Sequence, residues 1–155
     1  MELLRVWAMP NKRTFQILPI SGLIAAELGP NYVDPFPYPY QKDALEYLKN
    51  IKNESVMSLV FDPPYSLRQL KELYNSKGIA LSQRETQYYW SDLRKEISRI
   101  IKPGGKVISF GWNSIGIGKK LGFEITKILL VCHGGHHNDT ICTVEKKIGV
   151  EQNTE

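Results

Sequence analysis

The chain has 155 residues, 42% hydrophobic and 23% charged, a globular composition that supports one domain with a core and is too short for two comfortable ones. It has no run of about 18 apolar residues, which excludes a membrane-spanning helix, and its start, MELLRVWAMPNKRTF, lacks the apolar core of a secretion signal. Two cysteines, Cys132 and Cys142, do not make a disulfide framework and fit a reducing, intracellular setting, while a net charge of +4 is permissive for nucleic acid and weak evidence alone.

Residues 1–18 are mixed in character. From Pro19, Ile20, Leu23, Ile24 and Leu28 share a helical face that stops at Gly29-Pro30. NYVDPF (31–36) predicts a short strand, and KDALEYLKNIK (42–52) a helix with Ala44, Leu45, Leu48 and Ile51 inward. SVMSLVF (55–61) is continuously apolar, as in a strand buried on both faces of a parallel sheet. Residues 66–88 read as polar and irregular, with a short helix at LRQLKELY. SDLRKEISRII predicts a helix with Leu93, Ile97, Ile100 and Ile101 inward, stopped by Pro103-Gly104-Gly105. KVISFGW (106–112) predicts a strand, FEITKILLVC and DTICTVEKK a hairpin, and 148–155 a disordered tail after a single domain at 1–147.

Strand, helix, strand, helix, strand and hairpin make an α/β pattern, in which ligands sit at the carboxyl ends of the strands. Asp34, Asp62 and Trp112 all fall at such ends and are read as one site. The sharpest feature is Asp62-Pro63-Pro64-Tyr65, directly after the apolar strand. An exocyclic amine on a base is a poor nucleophile because its lone pair is delocalised into the ring. A carboxylate (Asp62) and a fixed carbonyl (Pro63) aimed at its two hydrogens free that lone pair, Pro64 helps set the turn, and Tyr65 offers a face for a base taken out of its duplex. His133, His136, His137 and Asp139 read as a hairpin turn and not as a metal site, since Cys132 and His133 point to opposite faces of a strand. No cysteine follows a proline or is placed as a nucleophile beside a separate base.

DPPY after an apolar strand resembles the catalytic motif of the amino-group DNA methyltransferases, which make N6-methyladenine or N4-methylcytosine. NKRTFQILPI (11–20), VDPF (33–36), DAL (43–45) and KPGGKVISFGWN resemble other motifs of that family in order, and the resemblance covers most of residues 5–147. It implies a Rossmann-like methyltransferase sheet, mostly parallel with a C-terminal antiparallel hairpin, and S-adenosylmethionine as cofactor. It further implies Thr14, Phe15, Asp34, Phe36 and Asp43 as cofactor contacts, with Asp62, Pro63, Pro64 and Tyr65 catalytic. Arg68, Trp112, Asn113 and Lys119 are the candidates for substrate contacts, the substrate is DNA, and Asp at the first motif position leans toward adenine N6. The small size resembles a mobile-element or viral protein working in the host cytoplasm.

The family pattern breaks at one place. Eight residues separate Asp34 from Asp43, fewer than the dozen or so that a parallel crossover needs, so a helix and a further strand do not fit there. The sheet is therefore expected to be truncated on its cofactor side, with Phe36, Tyr38 and Tyr40 stacking in place of the missing strand or covering the shortened edge, and with a homodimer or partner subunit completing the pocket. The alternative function is a non-catalytic methyltransferase-like remnant used in nucleic-acid binding or assembly.

Overall fold

The computed structural model describes residues 1–37 and 43–149. Its elements are β1 (Glu2–Trp7), α1 (Leu18–Glu27), α2 (Ala44–Lys49), β2 (Val56–Phe61), α3 (Leu67–Ser76), α4 (Gln83–Ile100), β3 (Ile101–Gly111), β4 (Phe123–Cys132) and β5 (Thr140–Lys147). The five strands form one sheet in the order β1-β4-β5-β3-β2. β1 pairs with β4 and β2 with β3 in parallel, and β5 runs antiparallel to both β3 and β4, so β5 alone is reversed. The expected α/β sheet with a closing antiparallel hairpin is the one found.

Two apolar layers hold helices to the sheet. On one face Ile20, Leu23, Ile24 and Leu28 of α1 and the residue after it pack with Val60, Ile108, Phe110, Leu129, Val131, Cys142 and Val144. On the other, α2, α3 and α4 contribute Leu48, Leu70, Tyr74, Tyr89, Leu93 and Ile97 against Leu59, Phe61 and Val107. Alternate residues of β2 and β3 thus face opposite layers, which is why both strands read as continuous apolar runs. The second layer thins beyond β5, where Leu3 and Trp7 of β1 stay 67% and 64% exposed.

Several boundaries differ from the sequence reading. The strand at 31–36 is reduced to one parallel bridge between Val33 and Leu59, made by Val33 N–H to the Ser58 carbonyl and Val60 N–H to the Val33 carbonyl, each 2.9 Å. It stops there because Asp34 Oδ1 takes the Phe36 N–H at 2.9 Å, turning the chain, and Pro35 and Pro37 have no N–H to offer. α2 is shorter than the predicted 42–52 and starts where Asp43 Oδ1 caps the Leu45 N–H at 3.1 Å.

Residues 66–88 are not irregular. Ser66 caps α3, and a reciprocal Ser82–Glu85 capping box starts α4 eight residues before the predicted 91. Pro103-Gly104-Gly105 does not stop that helix, which ends at Ile100, but lies inside β3. From Val56↔Ile101 to Ser58↔Lys106, two steps on β2 face five on β3, so the proline and glycines form a bulge. A Cβ on Gly105 would lie 2.7 Å from Ile101 Cγ2 and 2.9 Å from the Lys102 carbonyl, so the bulge is built around its absence. β1 went unread because its side chains are mostly exposed and show no period.

Tyr38, Tyr40 and residues 150–155 lie outside the described residues. Ile148 and Gly149, expected in the tail, both donate N–H bonds to the Gly122 carbonyl, at 2.8 and 3.1 Å. No described helix is long and apolar enough to cross a membrane.

Candidate active site

β2 delivers Asp62 to the carboxyl edge of the sheet, and two prolines then turn the chain so that Tyr65 folds back toward it. The Tyr65 hydroxyl donates to Asp62 Oδ1 at 2.5 Å, and the Tyr65 N–H donates to Gln69 Oε1 at 2.8 Å on the first turn of α3. The Trp90 indole N–H donates to the Pro64 carbonyl at 2.8 Å, tying the turn to α4. The Tyr65 ring stands edge-on to Trp112, with centroids 5.7 Å apart and planes at 74°.

The Val33–Leu59 bridge brings Asp34 alongside. Burial pushes the Asp62 carboxyl up to about 6, against the pull of the Tyr65 and Thr14 hydroxyls, and the Asp34 charge adds to the rise. Burial raises Asp34 as well, partly offset by the Phe36 N–H. The Tyr65 hydroxyl is raised by burial and then by the adjacent carboxylate. Cys142 is pushed up to about 12 by burial and then by Asp62, so its thiol is no nucleophile near neutral pH.

Of the residues singled out in the sequence, Thr14, Asp34, Asp62 and Tyr65 thus come together, with Pro63 and Pro64 forming the turn. Trp112 and Asn113 line the same small pocket as Pro63, Pro64 and Tyr65. The rest are engaged otherwise. Phe15 packs on Phe110 at 5.2 Å and Tyr32 at 6.5 Å, at one wall of a cleft of about 380 Å³ beside α1. Phe36 is buried against Phe61 at 6.3 Å. Asp43 caps α2 and also accepts the Tyr74 hydroxyl at 3.2 Å. Arg68 is exposed on α3 and pairs with Glu72 at 3.0 Å, and Lys119 opens a short 3-10 turn before β4. His133 is a brace: its Nδ1 and Nε2 lie 2.9 Å from the Ala8 carbonyl and Thr140 Oγ1, which the Nδ1–H tautomer satisfies together.

Four contributors escaped the sequence reading: Trp90, Arg94, Ser109 and Glu145. Arg94 and Glu145 sit among inward-facing positions of α4 and β5, and a charged residue at such a position was the available signal. Glu145 is fully buried and accepts the Ile117 and Gly118 N–H groups at 2.7 and 3.0 Å. It therefore fixes the loop that carries Trp112 and Asn113 over the Asp62 turn.

No protein-family model matches the chain. Its sequence is 29% identical over 123 residues to the type II methyltransferase M.BamHI of Bacillus amyloliquefaciens. The similarity is to a methyltransferase. It spans 75% of this chain but only 28% of that protein. Among solved structures, TTHA0409 of Thermus thermophilus in complex with S-adenosyl-L-methionine gives a TM-score of 0.42 at 18% identity over 72% of this chain and 54% of that one. TrmN from Thermus thermophilus gives 0.46 at 18% identity over 96% of this chain and 44% of that one.

Proposed function

We propose that this chain is a methyltransferase domain that uses S-adenosylmethionine to methylate an exocyclic amino group of a DNA base, adenine N6 in the first instance. The carrying observation is the Asp62-Pro63-Pro64-Tyr65 turn at the end of β2, whose own Asp62 carboxyl is pushed up to about 6 by burial. The sequence similarity to a type II methyltransferase supports it.

Ionised Asp62 accepts one amine hydrogen and the Pro63 carbonyl the other, which draws the nitrogen toward tetrahedral geometry and exposes its lone pair. An amine that takes the methyl, the sulfonium keeping the electron pair of the S–C bond it gives up, would have one proton to lose, and Asp62 would be placed to take it and pass it to solvent. When bound, the cofactor supplies an electrophilic methyl on a sulfonium. The residues fit such a group, because Asp34 and Asp62 are two carboxylates both raised by burial, and a cation beside them relieves both. Thr14 and Asp34 would hold it closest to Asp62, with Phe15, Phe36 and Asp43 further out. Trp112 and Asn113 are assigned to the base, and Arg68 and Lys119 to the phosphate backbone.

Calorimetric titration with S-adenosylmethionine and S-adenosylhomocysteine, with and without DNA, tests the reading. Binding near one site per chain that Asp34→Asn weakens is expected, and binding in neither condition overturns it.

A further inference from the structure

Behind the Asp62 turn lies a row of polar groups inside an apolar layer. β3 sets Ser109 beside Thr143 of β5, and Val107 beside Glu145, so Ser109, Thr143 and Glu145 share the face that α4 covers. Arg94 reaches into this row from α4. Arg94 Nε, Ser109 Oγ and Thr143 Oγ1 are buried without a hydrogen-bond partner among the described residues. Such groups normally find partners, because a buried polar group left unpaired keeps its full cost of desolvation.

Arg94 and Ser109, which carry two of the three, line one pocket of about 50 Å³ whose other walls include Pro63, Pro64, Tyr65 and Trp112. That volume admits an edge of a planar group and not a whole base. Its donors are a guanidinium and a hydroxyl, and they call for an acceptor. Glu145 lies beside Arg94 and offsets its charge, while burial lowers the Arg94 pKa. A buried guanidinium with a carboxylate nearby suits a neutral acceptor better than a phosphate.

We propose that Arg94, assisted by Ser109, binds the target base by donating to the ring nitrogen next to its amino-bearing carbon, N1 of adenine or N3 of cytosine. This rests on the amine-methylation reading and adds a contact on the ring to those on the amine. Pro63, whose carbonyl is assigned to the amine, lines the same pocket as Arg94 and Ser109, so a donor on the adjacent nitrogen fixes the ring in its plane, with Tyr65 and Trp112 at the pocket's other walls.

The test is nucleoside binding to the full chain, read by tryptophan emission in a Trp7→Phe background, because Trp90 and Trp112 line the pocket. Adenosine is compared with 1-deazaadenosine and cytidine with 3-deazacytidine. Removing the ring nitrogen, or Arg94→Ala, is expected to weaken binding about tenfold, with little further loss when the two are combined. Non-additivity in either the adenine or the cytosine pair supports the contact. Equal loss on the natural and deaza nucleosides marks Arg94 as merely structural and overturns it. Should Arg94→Ala not fold, Ser109→Ala and Arg94→Lys carry the same comparison. Absence of methyl transfer to a degenerate-sequence DNA would sink the methylation reading, while the emission result would still decide the pocket.

Discussion

Tyr65 and Asp62 share a hydrogen bond of 2.5 Å that closes the Asp-Pro-Pro-Tyr turn on itself. Its hydroxyl occupies one oxygen of the carboxylate assigned to the amine, and it also opposes the rise that burial imposes on that carboxylate's pKa. The hydroxyl favours the ionised form of Asp62, against desolvation. Tyr65→Phe keeps the ring and removes this support, so the Asp62 pKa rises above about 6. The rising limb of methyl transfer against pH should move upward by a fraction of a unit or more, with activity recovered at alkaline pH. A profile that stays in place would show that the bond does not tune Asp62. Tyr65→Ala, which also removes the ring, should not recover.

Asp62 itself links activity to stability with opposite signs. Its folded pKa, about 6, lies above the ordinary value of 3.8, so the folded state binds more protons between these values. Its contribution to stability is complete below about pH 4 and is lost as pH rises through about 6. At pH 8 the charged group costs up to about 3 kcal/mol, at about 1.4 kcal/mol per unit. Asp62→Asn should therefore raise the urea midpoint at pH 8, with the gain fading below about pH 4, while methyl transfer falls at least about a hundredfold. A variant that is active, or equally stable at both pH values, contradicts the assignment.

The parts of this fold that are continuously apolar or repeat with a helical period were legible in the sequence. The apolar run of β2 and the inward stripe Ile20, Leu23 and Ile24 of α1 are where the pattern placed them. The Asp62 turn was legible as a place in the fold, because two prolines directly after a buried apolar strand end it at the carboxyl edge of the sheet. What failed was local competition. Asp34 uses its side chain to turn the backbone, so 31–36 makes a bridge in place of a strand. The bulge at Gly104-Gly105 turns a helix-stop signal into part of β3. Long-range partners were invisible: nothing near Arg94 in sequence announces Glu145 or Ser109, which meet it only once β3 and β5 pair.

Glu27, at the end of α1, accepts from Lys106 of β3 and Lys127 of β4, each at 2.9 Å, and is 14% exposed. It clamps the helix across two strands that flank β5. Hydrogen bonds from the two lysines hold its carboxyl below the usual range. A depressed acid contributes stability that is present above its unfolded pKa and lost as pH falls through the folded one. Glu27→Gln should cost about 1–2 kcal/mol near neutral pH and progressively less on acidification below about pH 4, measured by urea unfolding. A cost that does not change with pH would show that packing, and not charge, holds α1 in place.

The loop over the site depends on a glycine and an acid fitting together. Gly116 has φ +60°, and a Cβ there would overlap the Glu145 carboxylate. Gly116→Ala therefore meets both backbone strain and a clash, and cannot relax without releasing the Ile117 and Gly118 N–H groups that Glu145 holds. We expect a loss of about 2–4 kcal/mol, and Glu145→Gln to lose less because an amide oxygen can still accept one of the two bonds. The two changes act on one contact, so their effects should fall short of additive in a double-mutant cycle. The loop also carries Trp112, which stands edge-on to Tyr65 and lines the pocket with it. Gly116→Ala should therefore alter tryptophan emission and weaken DNA binding while leaving S-adenosylmethionine affinity near that of the parent, because Thr14 and Asp34 lie on other segments. Equal loss of both affinities would mean that the loop supports the whole site and not the base pocket alone.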